Sequence, residues 1–305
     1  MENIIETKSL TKHFGKFCAV DDISLSVKKG AVYGFLGLNG AGKTTTIRMI
    51  LGLIRQTAGV VRLCGEKIRP GGKGPWHRVG SLVEVPYSYP ELTVRDNLDI
   101  VRRMRGIRDR KAITAIVEKL ELTRYIDKKA GHLSLGNAQR LGLAKALIHD
   151  PDILILDEPS NGLDPAGIVE IRELLINLSR NHSVTIFISS HILDEIARLA
   201  SRIGIIHEGR LLRELDSSEI HTMRRKRLII KTRDNHQARE VLVKEGYSAM
   251  NTDDDLIELA DERALNQPDK IALLLVQSNI PPTMLYEKED NLESLFLSII
   301  KNSEN

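Results

Sequence analysis

A glycine-rich segment at residues 37–44, Gly-Leu-Asn-Gly-Ala-Gly-Lys-Thr, carries the residue types best suited to bind a polyphosphate. It fits the pattern of a glycine, four residues and then Gly-Lys-Ser/Thr, between an apolar strand and a helical run. Glycines let successive backbone amides turn towards an anion, and the N-terminus of the following helix favours the same anion. The lysine can reach the outer phosphates and the threonine hydroxyl can bind Mg²⁺. The segment predicts a nucleoside triphosphate site formed by Gly37, Leu38, Asn39, Gly40, Ala41, Gly42, Lys43, Thr44 and Thr45. The sequence offers no partner for Lys43 in the absence of nucleotide.

Two acidic residues follow an apolar run at 153–156. Such a run predicts a buried parallel strand, and open α/β sheets bind ligands at the carboxyl ends of their strands. Asp157 is therefore suited to hold Mg²⁺, and Glu158 to orient or deprotonate an attacking water. His191 follows a further apolar strand, predicted at 184–188. A lone histidine there is more often structural, but its place after the third strand with a polar end favours a role in the site.

Two weaker signals lie outside these strands. Phe14 precedes a turn ahead of the phosphate loop, and an exposed aromatic there could stack on a purine base, with Val20 packed beside it. Burial of Phe14 in the core explains the residue equally well. Ser134 and Gly136 precede a helical run and offer a hydroxyl and an amide to a second anion. A simple helix cap is the alternative for this segment.

The composition of the chain is that of an ordinary globular protein. Of its 305 residues, 28% are charged and 42% hydrophobic, and the net charge of +3 argues neither for nor against nucleic acid. The two cysteines have no metal-ligand spacing, which favours a reducing compartment. No apolar run is long enough to span a membrane, and the first residues lack the apolar core of a signal peptide. We therefore expect a cytoplasmic protein that meets a membrane only through a partner.

The elements that must position these residues fall into two groups. Before residue 217 the patterns predict a helix at 44–53, a mainly helical region at 93–146, and strands at 3–9, 18–29, 32–36, 60–68, 79–85, 153–156, 184–188, 204–206 and 211–215. After it they predict β (227–232), α (235–244), two strands ending at 259, α (268–277), β (283–287) and α (292–300). The second order suggests a ferredoxin-like α+β domain without a catalytic motif. We predict domains at 1–216 and 217–305.

These motifs together resemble the ATP-binding subunits of ABC transporters over residues 4–216. Residues 37–44 resemble the Walker A loop, 153–158 the Walker B strand with its catalytic glutamate, 133–139 the signature and 161–164 the D-loop, with Asp164 and the switch histidine His191. Phe14 falls where that family places an adenine-stacking aromatic, which favours stacking over the core role. The signature departs from Leu-Ser-Gly-Gly-Gln at Leu135 and Asn137, and keeps Ser134 and Gly136. Glu84 replaces the family's glutamine, a Mg²⁺ ligand and a link to the permease.

Both departures are similar to the ATP-binding subunits of bacitracin-resistance and lantibiotic self-protection exporters. The resemblance implies an α/β fold of the P-loop NTPase type: an ABC ATPase domain with a mixed core sheet, an antiparallel β subdomain and a helical subdomain. It implies an enzyme that hydrolyses ATP with Mg²⁺ and forms a homodimer in which each signature covers the partner's nucleotide. It also implies a separate membrane permease at the inner face of the cell membrane, no nucleic acid, and antimicrobial peptides as the exported cargo.

Three alternatives remain at this stage. The first is the same kind of subunit serving another cargo, such as a drug or a lipid. The second is a soluble ABC ATPase acting on ribosomes or DNA, which the single cassette without a coiled-coil insertion disfavours. The third is an unrelated kinase or GTPase, which the signature, the paired acids and the histidine together disfavour. For Glu84, a greater dependence on the metal and simple tolerance of either residue stay equally open.

Overall fold

The computed structural model describes residues 2–84, 86–219, 226–252 and 254–289, together with residues 296, 299 and 301. The chain divides into two compact units, Met1–Ser217 and Ser218–Asn305. None of the helices in the described part of the chain is both long enough and apolar enough to cross a membrane.

The first unit alternates strands and helices along the chain. Its strands are β1 (Asn3–Phe14), β2 (Phe17–Lys28), β3 (Val32–Leu36), β4 (Ala58–Leu63), β5 (Glu66–Lys67), β6 (Val79–Leu82), β7 (Ile153–Asp157), β8 (Thr185–Ser190), β9 (Arg202–His207) and β10 (Arg210–Asp216). Its α-helices over the described residues include α1 (Lys43–Ile50), α2 (Val94–Met104), α3 (Lys111–Lys119), α4 (Leu135–Leu147), α5 (Pro165–His182) and α6 (Leu193–Leu199).

A mixed six-stranded sheet forms the centre of the first unit, in the order β10-β9-β3-β8-β7-β6. Five of these strands run parallel to one another: β9, β3, β8, β7 and β6. The edge strand β10 pairs with β9 in the antiparallel sense. Every residue of β3, β7 and β8 is buried. Continuous burial is typical of parallel strands. Because these three strands are parallel neighbours, their carboxyl ends lie at the same edge of the sheet.

A second, antiparallel sheet has the order β2-β1-β4-β5, and its apolar side chains share a core with β3, β7 and α1. The segment 60–68, predicted as one strand, is instead the hairpin β4–β5. Its two turn residues, Cys64 and Gly65, both have positive φ angles of 51° and 78°. Two successive residues with positive φ make the tight turn that reverses a hairpin, which ends the strand at Leu63.

The region predicted as helical at 93–146 is three α-helices and short 3₁₀ turns. Helix α2 begins after Thr93, whose side chain and that of Asp96 form a capping box. Helix α4 begins after Ser134, whose side chain accepts a hydrogen bond from the Asn137 amide. The Ser134 cap therefore places the signature segment at the N-terminus of α4, where the first backbone amides have no partner within the helix.

The second unit contains β11 (Lys226–Lys231), α7 (Asn235–Lys244), β12 (Ala249–Asn251), β13 (Ile257–Leu259), α8 (Glu262–Asn266), α9 (Pro268–Gln277) and β14 (Met284–Glu289). Its sheet is antiparallel throughout, in the order β12-β13-β11-β14, and it has its own apolar core. The short helix α8 is absent from the sequence prediction. The helix predicted at 292–300 falls on residues that the structure describes only at 296 and 299.

Candidate active site

The loop between β3 and α1 has a backbone conformation that glycine adopts more readily than other residues. Gly40 and Gly42 have φ angles of 83° and 103°. A Cβ atom on Gly37 would lie 2.6 Å from the carbonyl oxygen of Ile206, and one on Gly42 would lie 2.6 Å from that of Ala19. These positions exclude side chains, so the backbone can wrap closely around a polyphosphate at the N-terminus of α1.

Lys43 is buried at the first position of α1 and has three partners. Its Nζ donates to the carbonyl oxygens of Gly37 and Leu38 at 2.7 and 3.0 Å. The same atom forms an ion pair with Glu158 Oε1 at 3.1 Å. The expectation that Lys43 has no partner without nucleotide is therefore wrong, because the strand that carries Glu158 lies beside the loop in space.

Asp157 ends β7, and both of its carboxylate oxygens accept hydrogen bonds from hydroxyl groups. Thr44 Oγ1 donates to Oδ2 at 2.8 Å, and Ser189 Oγ of β8 donates to Oδ1 at 2.6 Å. Hydroxyl and carboxylate oxygens are the hard ligands that Mg²⁺ prefers. Thr44 and Asp157 therefore fit a site for that ion. Ser189 had no assigned role in the sequence, although a hydroxyl at the end of a buried strand is a usable signal.

Glu158 and His191 meet because their strands, β7 and β8, are parallel neighbours. His191 Nδ1 lies at hydrogen-bonding distance, 2.9 Å, from Glu158 Oε2. Glu158 has a φ of 47°, a left-handed conformation that costs about 1–3 kcal/mol in a residue other than glycine. Its amide donates to Ser189 Oγ at 3.1 Å, which holds this backbone turn. The carboxylate thus lies between a lysine and a histidine.

Glu84 lies just after β6, which ends at Leu82 rather than at the predicted residue 85. Its φ of 60° cannot continue a strand. The carboxylate accepts a hydrogen bond from the guanidinium of Arg48 on α1. A cavity of about 430 Å³ is lined by Glu84 together with Thr44, Pro86, Leu135, Gln139, Asp157, Glu158, Asn161 and Gly162.

A hydrogen bond joins Tyr87, three residues after Glu84, to helix α4. The Nζ of Lys145 donates to the carbonyl oxygen of Tyr87 at 2.7 Å, and burial lowers the pKa of this lysine. Gln139, also on α4, is buried, and its side-chain amide donates to the carbonyl oxygen of Pro159 at 2.6 Å. Pro159 is the residue directly after Glu158. Helix α4 therefore contacts the segments after both β6 and β7. Gln139 was part of the recognised signature but not of the predicted site.

The signature residues form the exposed start of α4. Ser134 caps the helix, and its Oγ accepts a hydrogen bond from the side-chain amide of Asn137 at 2.9 Å. Leu135 is 53% exposed and faces the cavity, and Gly136 follows it in the first turn of the helix. The helix-cap alternative is thus present in the structure, and a ligand at this N-terminus stays a prediction.

The remaining predicted residues have other partners than the acids among the contacts described. Phe14 is half exposed, with the Lys12 ammonium 4.7 Å from its ring centre. Val20 is fully buried in the core, so the predicted packing of its side chain against a base is corrected: no surface of Val20 is accessible to one. Asp164 caps α5 by accepting a hydrogen bond from the Gly167 amide at 2.9 Å. Among the described residues, no hydrogen bond joins Phe14, Ser134 or Asp164 to the acidic cluster, which is formed by Glu84, Asp157 and Glu158.

Comparison with known proteins decides the family. Residues 20–161 match the family model described as ABC transporter. Over 303 residues the chain is 43% identical to the bacitracin transport ATP-binding protein BcrA of Bacillus licheniformis, with 98% of each chain covered. The chain belongs to the ATP-binding subunits of ABC transporters. The family recognised from the motifs is confirmed, and so is the ABC ATPase fold class of the first unit.

Other members of this family show the same pattern. BcrA of Enterococcus faecalis is 39% identical, covering 98% of this chain and 97% of that protein. The lantibiotic transport ATP-binding protein SrtF of Streptococcus pyogenes is 38% identical and covers 71% of this chain and 93% of that protein. A solved ATP-binding subunit of an ABC transporter superposes with a TM-score of 0.65 at 27% identity, covering 72% and 92%. This chain is therefore the ATPase subunit of an ABC transporter, as the motifs predicted.

Proposed function

We propose that the cluster around Glu158 is the hydrolytic centre of this ATPase. The observation that carries the proposal is the position of the Glu158 carboxylate, which contacts Lys43 on one side and His191 on the other. Lys43 then binds the outer phosphates, Glu158 orients or deprotonates the attacking water, and His191 holds the carboxylate in place. Thr44 and Asp157 would hold Mg²⁺, which supplies charge neutralisation on the phosphates.

We also propose that two copies of this chain complete each site. Ser134 and Asn137 lie at an exposed helix start, without a hydrogen bond to the described residues of the acidic cluster. A second copy would place its signature residues Ser134, Leu135, Gly136 and Asn137 over the nucleotide held by the first. A solved bacterial ABC transporter cassette is dimeric; it is 26% identical, has a TM-score of 0.64, and is matched over 70% of this chain and 98% of its own. Phe14 would stack on the base and Asp164 would lie at the subunit boundary.

The proposed role of the dimer is to power a separate membrane permease from the cytoplasmic face of the cell membrane. We infer that the cargo is an antimicrobial peptide of the bacitracin or lantibiotic type. The support is that both BcrA proteins match this chain along nearly its full length, second unit included. A second candidate is another exported cargo, because the Nod factor export ATP-binding protein I of Burkholderia orbicola is 40% identical over 69% of this chain.

We further propose that the second unit is a ferredoxin-like domain. Its order of elements and its antiparallel sheet, β12-β13-β11-β14, support that assignment. No role in nucleotide chemistry is proposed for it.

Resistance measurements test the cargo. The chain would be expressed together with its permease in a host sensitive to bacitracin and to a lantibiotic. We expect a higher inhibitory concentration for at least one of these peptides, and no increase when Glu158 is replaced by glutamine. An assembled complex that hydrolyses ATP but leaves both inhibitory concentrations unchanged would contradict the peptide cargo and favour the second candidate.

A shortened chain tests whether the second unit contributes to the site. A chain that ends at Ser217 should bind ATP with the affinity of the full chain, because every residue of the proposed site lies in the first unit. Binding is measured by calorimetry, and the same shortened chain with Lys43→Ala serves as the negative control. A folded shortened chain that fails to bind ATP would show that the second unit is needed.

A further inference from the structure

Three carboxylates line the same cavity, and each accepts contacts from different donor groups. Glu158 is paired with Lys43, and Asp157 accepts hydrogen bonds from two hydroxyl groups. Glu84 is paired with the guanidinium of Arg48, which lies one helical turn after Thr44 on α1. Residues four apart lie on the same face of a helix, so Arg48 contacts this cavity-lining carboxylate from the face of α1 that carries Thr44.

We propose that Arg48 is a positioning residue that neutralises Glu84 and so keeps its carboxylate compatible with a bound triphosphate. The proposal rests on the proposed nucleotide site. A carboxylate beside Asp157, Glu158 and a triphosphate would repel the nucleotide. A carboxylate paired with an arginine presents no net charge to the cavity, as the neutral amide of glutamine would.

Stability alone does not account for this pair. The side chains of Arg48 and Glu84 are 39% and 52% exposed, and ion pairs between such exposed groups add little to stability. Glu84 nevertheless has a left-handed backbone conformation, with a φ of 60°, which is uncommon in residues other than glycine. The conformation brings its carboxylate to the cavity and to Arg48, where a charge matters to an anionic ligand.

The effect should depend on Mg²⁺. Without the ion, Glu84 released from Arg48 faces the full charge of the triphosphate. With the ion bound, part of that charge is already compensated. Arg48→Ala should therefore weaken nucleotide binding most strongly when the metal is chelated, by roughly tenfold, the low end of what an unpaired neighbouring charge causes. Arg48→Lys should restore most of the affinity.

A double-variant cycle on the full chain tests the proposal. The dissociation constant of a non-hydrolysable ATP analogue is measured with excess Mg²⁺ and with a chelator for the native protein, Arg48→Ala, Glu84→Gln and the double variant. We expect Arg48→Ala to weaken binding in the native background and to have almost no effect once Glu84 is glutamine. Arg95→Ala is the matched control, because it breaks the exposed ion pair between Arg95 on α2 and Asp127.

The outcomes separate this inference from the proposal beneath it. An equal loss of affinity from Arg48→Ala with Glu84 and with glutamine at that position overturns the inference, since Arg48 would then act independently of the carboxylate. An unchanged affinity in Arg48→Ala overturns it as well. Analogue binding that is insensitive to Lys43→Ala would instead overturn the nucleotide site itself. Equal melting temperatures of the native protein and of the Arg48 and Glu84 variants exclude misfolding as the cause of a loss.

Discussion

Replacing Glu158 with glutamine is expected to slow steady-state ATP turnover by about 10²–10⁴-fold while ATP binding is retained. The amide has nearly the shape of the carboxylate, but it cannot take a proton from water. It also pairs less strongly with the Lys43 ammonium, now 3.1 Å from Glu158 Oε1. Lys43 is then freer to bind phosphate, so affinity for ATP should be equal to or higher than that of the native protein.

Turnover is measured by phosphate release, and binding and dimer formation are measured on the same preparation. Asp152→Asn is the matched control, because Asp152 lies just before β7, at the end of that strand opposite Glu158, and forms an ion pair with Arg78. We expect native turnover in the control and an ATP-dependent dimer in Glu158→Gln. Native turnover in Glu158→Gln would refute the catalytic assignment.

Replacing Lys43 with alanine is expected to weaken ATP binding by about 10–100-fold, since a hydrogen bond to a charged group contributes about 1.5–3 kcal/mol. Hydrolysis should be lost with it. The substitution also removes a buried ammonium, 5% exposed, that is bonded to two carbonyl oxygens and to Glu158. We therefore expect a lower melting temperature, a consequence that the sequence did not predict.

The double variant Lys43→Ala/Glu158→Gln separates these two effects. Lys43→Ala leaves the Glu158 carboxylate without its ammonium partner, so removing that charge should recover part of the lost stability, but not the ATP affinity. Lys129→Ala, which breaks an exposed pair with Glu91, is the control for loss of a lysine. Native ATP affinity in Lys43→Ala, measured by calorimetry, would be incompatible with the proposed site.

Local sequence patterns were sufficient to predict the main elements of the site. The glycine spacing at 37–44 predicted the phosphate loop, because only glycine adopts the positive φ angles found at Gly40 and Gly42 without strain. The apolar run before Asp157 predicted a buried strand with acids at its carboxyl end, which β7 confirms. In each case the determining interactions are between neighbouring residues, so the pattern along the chain is enough.

The tertiary structure alone decided which side chains meet. Thr44 and Asp157 were both predicted to hold Mg²⁺, but the hydrogen bond between them joins residues 113 apart and no local pattern predicts it. The pairing of Arg48 with Glu84, 36 residues apart, had no counterpart in the sequence prediction. Lys43 gained Glu158 as a partner in the same way. Conversely, Val20 was assigned to a base but lies fully inside the core. These contacts depend on the order of strands in the sheet and on the packing of α1 against it, which are set by interactions between distant parts of the chain.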